Sequence, residues 1–203
     1  FSSTEAGNIT YGVCSGSPDN ASADNNTITF DALADGTYSN CKISVTDNAT
    51  NISDNLSVRS FTIDTVKPVL AEVTAVTTPT NDTTPAYSFS STEAGTNSYG
   101  GSCGSSSTSA TSSGLDNVTI ILTQPDNSTA LSDNTSYSNC TITITDSAGN
   151  TSTPLIVNTF VVDTTAPTVS STSPTDNQSS VSVSDNISVT FSESMDNTSV
   201  TTN

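Results

Sequence analysis

The sequence predicts an all-β chain of tandem β-sandwiches, and three observations carry that expectation. Apolar residues recur at every second position in short runs bounded by Asn, Asp, Gly and Pro, the pattern of half-buried strands. The tetrapeptide Tyr-Ser-Asn-Cys stands at residues 38–41 and again at 137–140, each time leading into such a run. No stretch of useful length shows the periodicity of an amphipathic helix.

The repetition extends well beyond the tetrapeptide. Phe1-Ser2-Ser3-Thr4-Glu5-Ala6-Gly7 recurs at residues 89–95, Tyr11 recurs as Tyr99, and Cys14 as Cys103. The runs Lys42-Ile43-Ser44-Val45-Thr46-Asp47 and Thr141-Ile142-Thr143-Ile144-Thr145-Asp146 correspond. Each is followed by a further alternating run, ending in Asp64-Thr65 and in Asp163-Thr164. One unit is therefore roughly 90–100 residues, the size of a single sandwich. The second copy carries about ten extra residues between its cysteines, in the Ser-rich stretch 104–114 or in 125–134; both are loop-like, where insertions cost little.

Taken in order, the second copy supplies strands at 69–76, 86–91, 96–103, 118–123, 136–146 and 155–163, with a turn cluster at 78–85. The first copy lacks a counterpart of 69–87, so its core misses at least one strand. Either the chain is cut from a longer array, or a neighbouring chain donates the strand to an exposed edge. Residues 166–203 read as two or three strands of a third unit. The expected domains are 1–66, 67–165 and 166–203.

Composition narrows the function classes. Only 32% of residues are hydrophobic and 5% aromatic, with no Trp, so the cores are small and lie in a polar shell. Lys and Arg number 3 against 20 Asp and Glu, a formal net charge of -17. Too few cations exist to neutralise phosphate, which excludes nucleic acid and an anionic membrane surface as partners. No apolar run approaches membrane-spanning length. The chain has no His and no C-x-x-C spacing, which argues against zinc. Its 4 Cys, two per copy, point to two disulfides and an oxidising, extracytoplasmic setting. Without His, and with no base beside any Ser or Thr, no catalytic constellation forms, and the chain is not expected to be an enzyme. Lys42 alternates with core positions and should face solvent.

At residues 137–150, Tyr-Ser-Asn-Cys-Thr-Ile-Thr-Ile-Thr-Asp-Ser-Ala-Gly-Asn, and at 160–167, Phe-Val-Val-Asp-Thr-Thr-Ala-Pro, the second copy resembles the bacterial immunoglobulin-like repeats of secreted adhesins and surface fibres. The stretch 160–167 is similar to the linkers that join such repeats. The first copy matches at 38–51 and 61–68, departing at Asn48-Ala49-Thr50, where Gly is absent, and at Val66-Lys67. The tail at 189–196, Val-Thr-Phe-Ser-Glu-Ser-Met-Asp, is similar to the start of another bacterial Ig-like type, found in surface-layer proteins. The resemblance implies tandem immunoglobulin-like β-sandwiches at the cell surface or outside the cell.

Several residues stand out against that background. Cys41, Ile43 and Val45 share one strand face, as do Cys140, Ile142 and Ile144, so the sulfurs point inward or sit at the core rim. Bridges from Cys14 to Cys41 and from Cys103 to Cys140 would join neighbouring strands or span one end of a sandwich; the alternative is four buried thiols. Tyr38 and Tyr137 resemble the tyrosine corner, whose hydroxyl bonds nearby backbone. Asp47, Asp64, Glu93, Asp146, Asn150 and Asp163 form a recurring set of side-chain oxygen donors, five acids and one amide, near strand ends and linkers. The linker Asp can meet loops of the next unit, including the turn that holds Glu93. Oxygen-only clusters at junctions suit Ca²⁺, and the resembled adhesins stiffen in that way. The competing reading is turn chemistry, in which Asp and Asn bond their own backbone. Sequons at Asn8, Asn48, Asn117 and Asn186 are dense, as this composition produces by chance.

The expected function is mechanical: a disulfide-stabilised spacer in an extracellular fibre or adhesin stalk, touching adjacent repeats or identical subunits. Two alternatives stand beside it. One is a filament subunit completed by donor-strand exchange. The other is a carbohydrate- or protein-binding module using loops such as 104–114. The surface ligand is not legible, and the few aromatics offer few sugar platforms.

Overall fold

A computed structural model of the chain describes residues 1–110 and 117–195. Among these every regular element is a β-strand, as the alternation predicts. No helix among them is long and apolar enough to cross a membrane.

The second unit is a two-layered sandwich. One layer joins Leu70–Thr74, Ala86–Ser91 and Asn117–Ile121; the other joins Ser109–Ala110, Gly95–Gly100, Thr141–Thr145 and Leu155–Ile156. A separate pair, Thr135–Tyr137 with Phe160–Val162, closes the side. Alternate residues of each layer point inward. Tyr87, Phe89, Ile120 and Leu122 meet Ile142, Ile144, Val157, Phe160 and Val162 in one buried cluster. Each fully buried side chain of this kind contributes about 1.5–3 kcal/mol, so this core can hold a sandwich of its size.

The first unit repeats the second layer, with strands Asn20–Ala21, Gly7–Tyr11, Lys42–Asp47 and Leu56–Ser57 in order. Its buried apolar cluster is much smaller: Ile9, Ala21 and Ile43, with Phe1, Tyr11, Ile28 and Val45 partly covered. An apolar groove lies open between Phe1, Ile28, Phe30, Ile43 and Leu56. Among the described residues, Ser2–Ser3 pairs only with Asp24–Asn25, and no strand takes the place that Leu70–Thr74 holds beside Ala86–Ser91 in the second unit. Lys42 is exposed.

The third unit shows one antiparallel pair, Val169–Ser173 with Ser188–Phe191. Its register repeats that of Leu70–Thr74 with Ala86–Ser91: Val169 faces Phe191 as Leu70 faces Ser91.

The alternating runs differ from expectation in one respect. Residues 136–146, read as one strand, are two, and so are 155–163. Thr135–Tyr137 pairs with Phe160–Val162, whereas Thr141–Thr145 lies between Gly95–Gly100 and Leu155–Ile156. The tetrapeptide Tyr-Ser-Asn-Cys is therefore the crossing from one sheet to the other. Asn139 secures that corner by accepting a hydrogen bond from the Ser102 N–H at 3.0 Å. Gly101, at φ +77, passes so close to the Asn139 carbonyl that a Cβ would overlap it. The corner is held from the core side by the tyrosines. The Tyr38 hydroxyl donates to the Ala34 carbonyl at 2.9 Å, and the Tyr137 hydroxyl accepts from the Ser132 N–H at 2.8 Å. Tyr38 stacks on Phe61 and Tyr137 on Phe160, with ring centroids 5.4 and 5.3 Å apart.

Strand registers also place the insertion. Ala21 corresponds to Ala110 and Asn25 to Asn117, offsets of 89 and 92. Gly36 corresponds to Thr135, an offset of 99. Three extra residues thus fall in 111–116, outside the described residues, and seven fall in 124–134.

Candidate metal centre at the junction of two units

The linker that leaves the first unit is bonded on both sides. Asp64 follows directly on strand Phe61–Ile63, and its Oδ1 accepts from the Val66 N–H at 3.0 Å, a tight Asx turn. Behind it, Asp35 of the first unit accepts from the Thr65 N–H and hydroxyl at 3.1 and 2.9 Å. Ahead of it, Val69 donates to the Thr92 hydroxyl at 2.9 Å, and Thr92 returns an N–H to the Val69 carbonyl at 3.1 Å. Pro68 between them is fully buried and restricts the backbone.

Thr92 is followed by Glu93, and the linker is thereby brought against the turn after strand Thr141–Thr145. Oxygens of Asp64, Glu93 and Asp146 lie within 4.8 Å of one another. Asp146 is 9% exposed. Its Oδ1 accepts from the N–H groups of Ala148 and Asn150, both at 2.8 Å, and its Oδ2 from Asn150 Nδ2 at 2.9 Å. The turn closes because Gly149 adopts φ +95, which a side chain resists. Asn150 Nδ2 also donates to the Asp64 carbonyl at 3.0 Å, across the junction.

The charges register this crowding. Burial, then the Asp64 and Asp146 carboxylates, push the Glu93 carboxyl above its ordinary range. Burial pushes Asp146 the same way, but the bonds from Asn150, Ala148 and Gly149 outweigh it and hold Asp146 below the carboxylate range. Glu93 thus sits where burial and two neighbouring carboxylates disfavour its ionised form. The donor set is oxygen only, and oxygens this close can share one ion whose bonds are about 2.3–2.6 Å. These residues fit a hard divalent cation such as Ca²⁺ and offer nothing to a soft metal.

Of the sequence-selected candidates, the acids Asp64, Glu93 and Asp146 and the amide Asn150 come together here. Asp47 does not join them. It repeats the Asp146 turn in the first unit, accepting from Ala49 and Asn51 N–H groups at 2.8 Å and from Asn51 Nδ2 at 2.8 Å. The Asn51 bonds chiefly hold its carboxyl below the usual range. Asp47 and Glu5 both line a cavity of about 280 Å³. In place of Gly149 this turn has Thr50 at φ 68.

Asp163 occupies the next junction. Its Oδ1 accepts from the Thr165 N–H at 3.1 Å, as Asp64 does from Val66. It lines a cavity of about 690 Å³ with Thr80, Pro167, Glu193 and Met195. The bracket recurs too. Asp133 accepts from the Thr164 N–H at 2.7 Å, which holds its carboxyl below the usual range. Thr168 donates to the Ser192 hydroxyl at 2.9 Å. Glu193 follows Ser192 as Glu93 follows Thr92, an equivalence hidden in the sequence because the two Glu stand at different distances from Phe89 and Phe191.

Asp35 and Asp133 anchor the two linkers by hydrogen bonds, and the sequence reading did not single them out for that. The signal was present, since each lies a few residues before its corner tyrosine in both copies. Their partners, however, are 30 and 31 positions away.

The cysteines brace the opposite flank. Cys14 is bonded to Cys41 and Cys103 to Cys140, with Cα atoms 5.3 and 5.1 Å apart. Each bridge ties the corner tetrapeptide to the loop after the neighbouring strand, Gly7–Tyr11 or Gly95–Gly100, and all four cysteines are buried.

No curated protein matches the chain. Residues 163–203, which begin at the linker Asp163 and include the third strand pair, match the family model of the bacterial Ig-like domain.

Proposed function

We propose that the chain is a stretch of an extracellular stalk or fibre, built from disulfide-braced Ig-like beads whose joints are set by a divalent cation. The observation that carries this reading is the convergence of Asp64, from the linker, with Glu93 and Asp146, from the following bead. Hydrogen bonds already hold the linker to both beads. A cation would bind three carboxylates that otherwise repel one another, and it would fix the angle between the beads. Asp64 and Asn150 orient the joint, Asp146 presents ionised oxygens, and Glu93 exchanges its proton for the ion.

The remaining features support a mechanical role. A net charge of -17 keeps long arrays soluble and apart. Two disulfides and a match to a bacterial Ig-like domain are typical of proteins outside the cytoplasm. Function then lies in length and stiffness. The test is small-angle scattering of residues 1–203 with calcium and with chelator. The expected result is a longer, narrower distribution of dimensions with calcium. Identical profiles in the two conditions would remove the cation from the joint.

A further inference from the structure

The first unit carries a copy of the surface that receives the linker in the second. Sequence identity aligns Ser3-Thr4-Glu5 with Ser91-Thr92-Glu93, and the strand registers align Asp47 and Asn51 with Asp146 and Asn150. The internal bonds agree. Ser3 Oγ donates to the Glu5 carbonyl at 2.7 Å, as Ser91 Oγ does to the Glu93 carbonyl at 2.6 Å. Asn51 Nδ2 donates to Asp47 Oδ2 at 2.8 Å, as Asn150 Nδ2 does to Asp146 Oδ2 at 2.9 Å. An amide nitrogen has two N–H groups. On Asn150 the same nitrogen also holds the linker carbonyl of Asp64.

In the second unit all five residues meet one segment. Glu93 and Asp146 lie with Asp64, Asn150 holds the Asp64 carbonyl, Thr92 exchanges bonds with Val69, and Ser91 pairs with Leu70. In the first unit their five counterparts line the cavity of about 280 Å³. That cavity runs on into the apolar groove. Ser3, Thr4, Val45 and Ser53 also line a second cavity, of about 310 Å³, that reaches Phe1, Ile43 and Leu56. The trough follows the course that residues 64–74 take along the second unit, past the acids and then onto the core, where Leu70 packs. Phe89 is 0% exposed under that cover, whereas its counterpart Phe1 is only half-buried and Leu56 is 49% exposed.

We propose that this trough is a preformed docking site for the Asp-Thr-x-x-Pro linker of another Ig-like unit, together with the strand that follows such a linker. The inference rests on the stalk reading and names the partner of the first unit's open face. The two ends of the trough call for different chemistry in one occupant. At the acidic end, a linker Asp supplies a carbonyl to the second N–H of Asn51 and a carboxylate that shares a cation with Glu5 and Asp47. At the apolar end, an alternating strand pairs with the Ser2–Ser3 edge and covers Phe1 and Leu56. A free cation leaves the apolar end bare, and a strand without the Asp leaves the acidic end unfilled. A second copy of this chain is a poor occupant. Its later linker is already held, by Asp133 at Thr164 and by Thr168 on Ser192.

The test is a titration of residues 1–203 with a synthetic peptide of residues 61–74, in calcium and in chelator, followed by NMR. The expected result is a saturable shift of the Asn51 side-chain amide and of the Ser3 and Thr4 backbone amides, at lower peptide concentration in calcium. The Asn150 and Thr92 signals should stay still, because their own linker occupies that site. A peptide carrying Asp64→Asn should bind about tenfold more weakly in calcium, as the loss of one charged contact implies. Glu5→Gln in the chain, an exposed position that leaves the fold intact, should remove most of the calcium effect. No saturation in calcium, equal shifts at Asn150, or equal binding by the Asp64→Asn peptide overturns the proposal. Self-association of the chain through Asn51 in the absence of peptide overturns it too. If scattering responds to calcium while the peptide fails to bind, the docking proposal falls alone and the stalk reading stands.

Discussion

Asn150 donates its side-chain Nδ2 to the backbone carbonyl of Asp64 at 3.0 Å, linking residues 86 positions apart in the chain. The same nitrogen donates to Asp146 Oδ2. One amide group therefore shapes the acidic turn and fastens the linker to it. Asn150→Ala removes both bonds. The expected outcome is a loss of about 1–2 kcal/mol from the second unit, for two hydrogen bonds of ordinary net value, together with a broader distribution of inter-unit angles. Chemical denaturation and residual dipolar couplings read the two effects separately. Unchanged couplings would show that the joint does not depend on this bond.

The pH dependence of the joint follows from Glu93. Its carboxyl is raised in the folded chain by burial and by Asp64 and Asp146. In chelator its contribution to stability is full below the unfolded value, about 4.3, and is lost as pH rises through the higher folded value. The second unit should therefore weaken with rising pH over that window when no cation is present. Calcium binds the ionised form, so its presence should reverse the slope. Glu93→Gln should flatten both curves. A slope in chelator that survives Glu93→Gln would assign it to another group.

Reduction should affect the two beads unequally. Each disulfide closes a loop whose cross-link contributes about 3–4 kcal/mol in the chain-entropy model. The sequence separations are 27 for Cys14–Cys41 and 37 for Cys103–Cys140. The first unit has three buried apolar residues in its cluster beside a much larger set in the second. With reductant the first unit should unfold near room temperature, while the second melts lower but cooperatively. Unit-resolved hydrogen exchange distinguishes them, and equal loss in both would contradict the difference in cores.

Thr50 holds φ 68 where the second copy has Gly149. A left-handed, β-branched residue is strained by about 1–2 kcal/mol. Thr50→Gly should stabilise the first unit by about 1 kcal/mol, the relief being partly offset by the entropy of a new glycine. Gly149→Thr should destabilise the second unit by a similar or larger amount. Thermal melts of the two variants check both signs.

The open groove of the first unit should accept an added strand. Its apolar walls, Phe1, Ile28, Phe30, Ile43 and Leu56, correspond to surfaces that Leu70–Thr74 and its neighbours cover in the second unit. A synthetic peptide of residues 68–87 is expected to raise the melting temperature of the first unit, by strand addition at the edge. A scrambled peptide with the same effect would show non-specific adsorption.

Much of this protein was legible before any coordinates. Alternation is a property of the strand backbone itself, so Ile43 and Ile142 announced buried faces and Lys42 an exposed one. Duplication marked which features belong to the bead. The acidic candidates were also visible, because Asp and Glu at strand ends and linkers are few. What local pattern could not convey was where the chain changes partners. The run 136–146 alternates without a break, yet Thr135–Tyr137 and Thr141–Thr145 lie in different sheets, since hydrogen bonding across strands is not encoded in alternation along one. The grouping of the acids was equally non-local. Asp47 and Asp146 make the same turn, but only Asp146 meets Asp64, because the docked linker delivers that carboxylate to the second unit. Asn97 shows the same limit. Within its strand it is one polar residue among several, and only packing reveals that its amide oxygen is buried with no hydrogen-bond partner among the described residues. The sequence by itself determined the alternating runs, the repeat and the residue types available at each joint. The tertiary structure decided which of them meet, because contacts between distant segments depend on sheet order and docking, and neither is written in the local period of the chain.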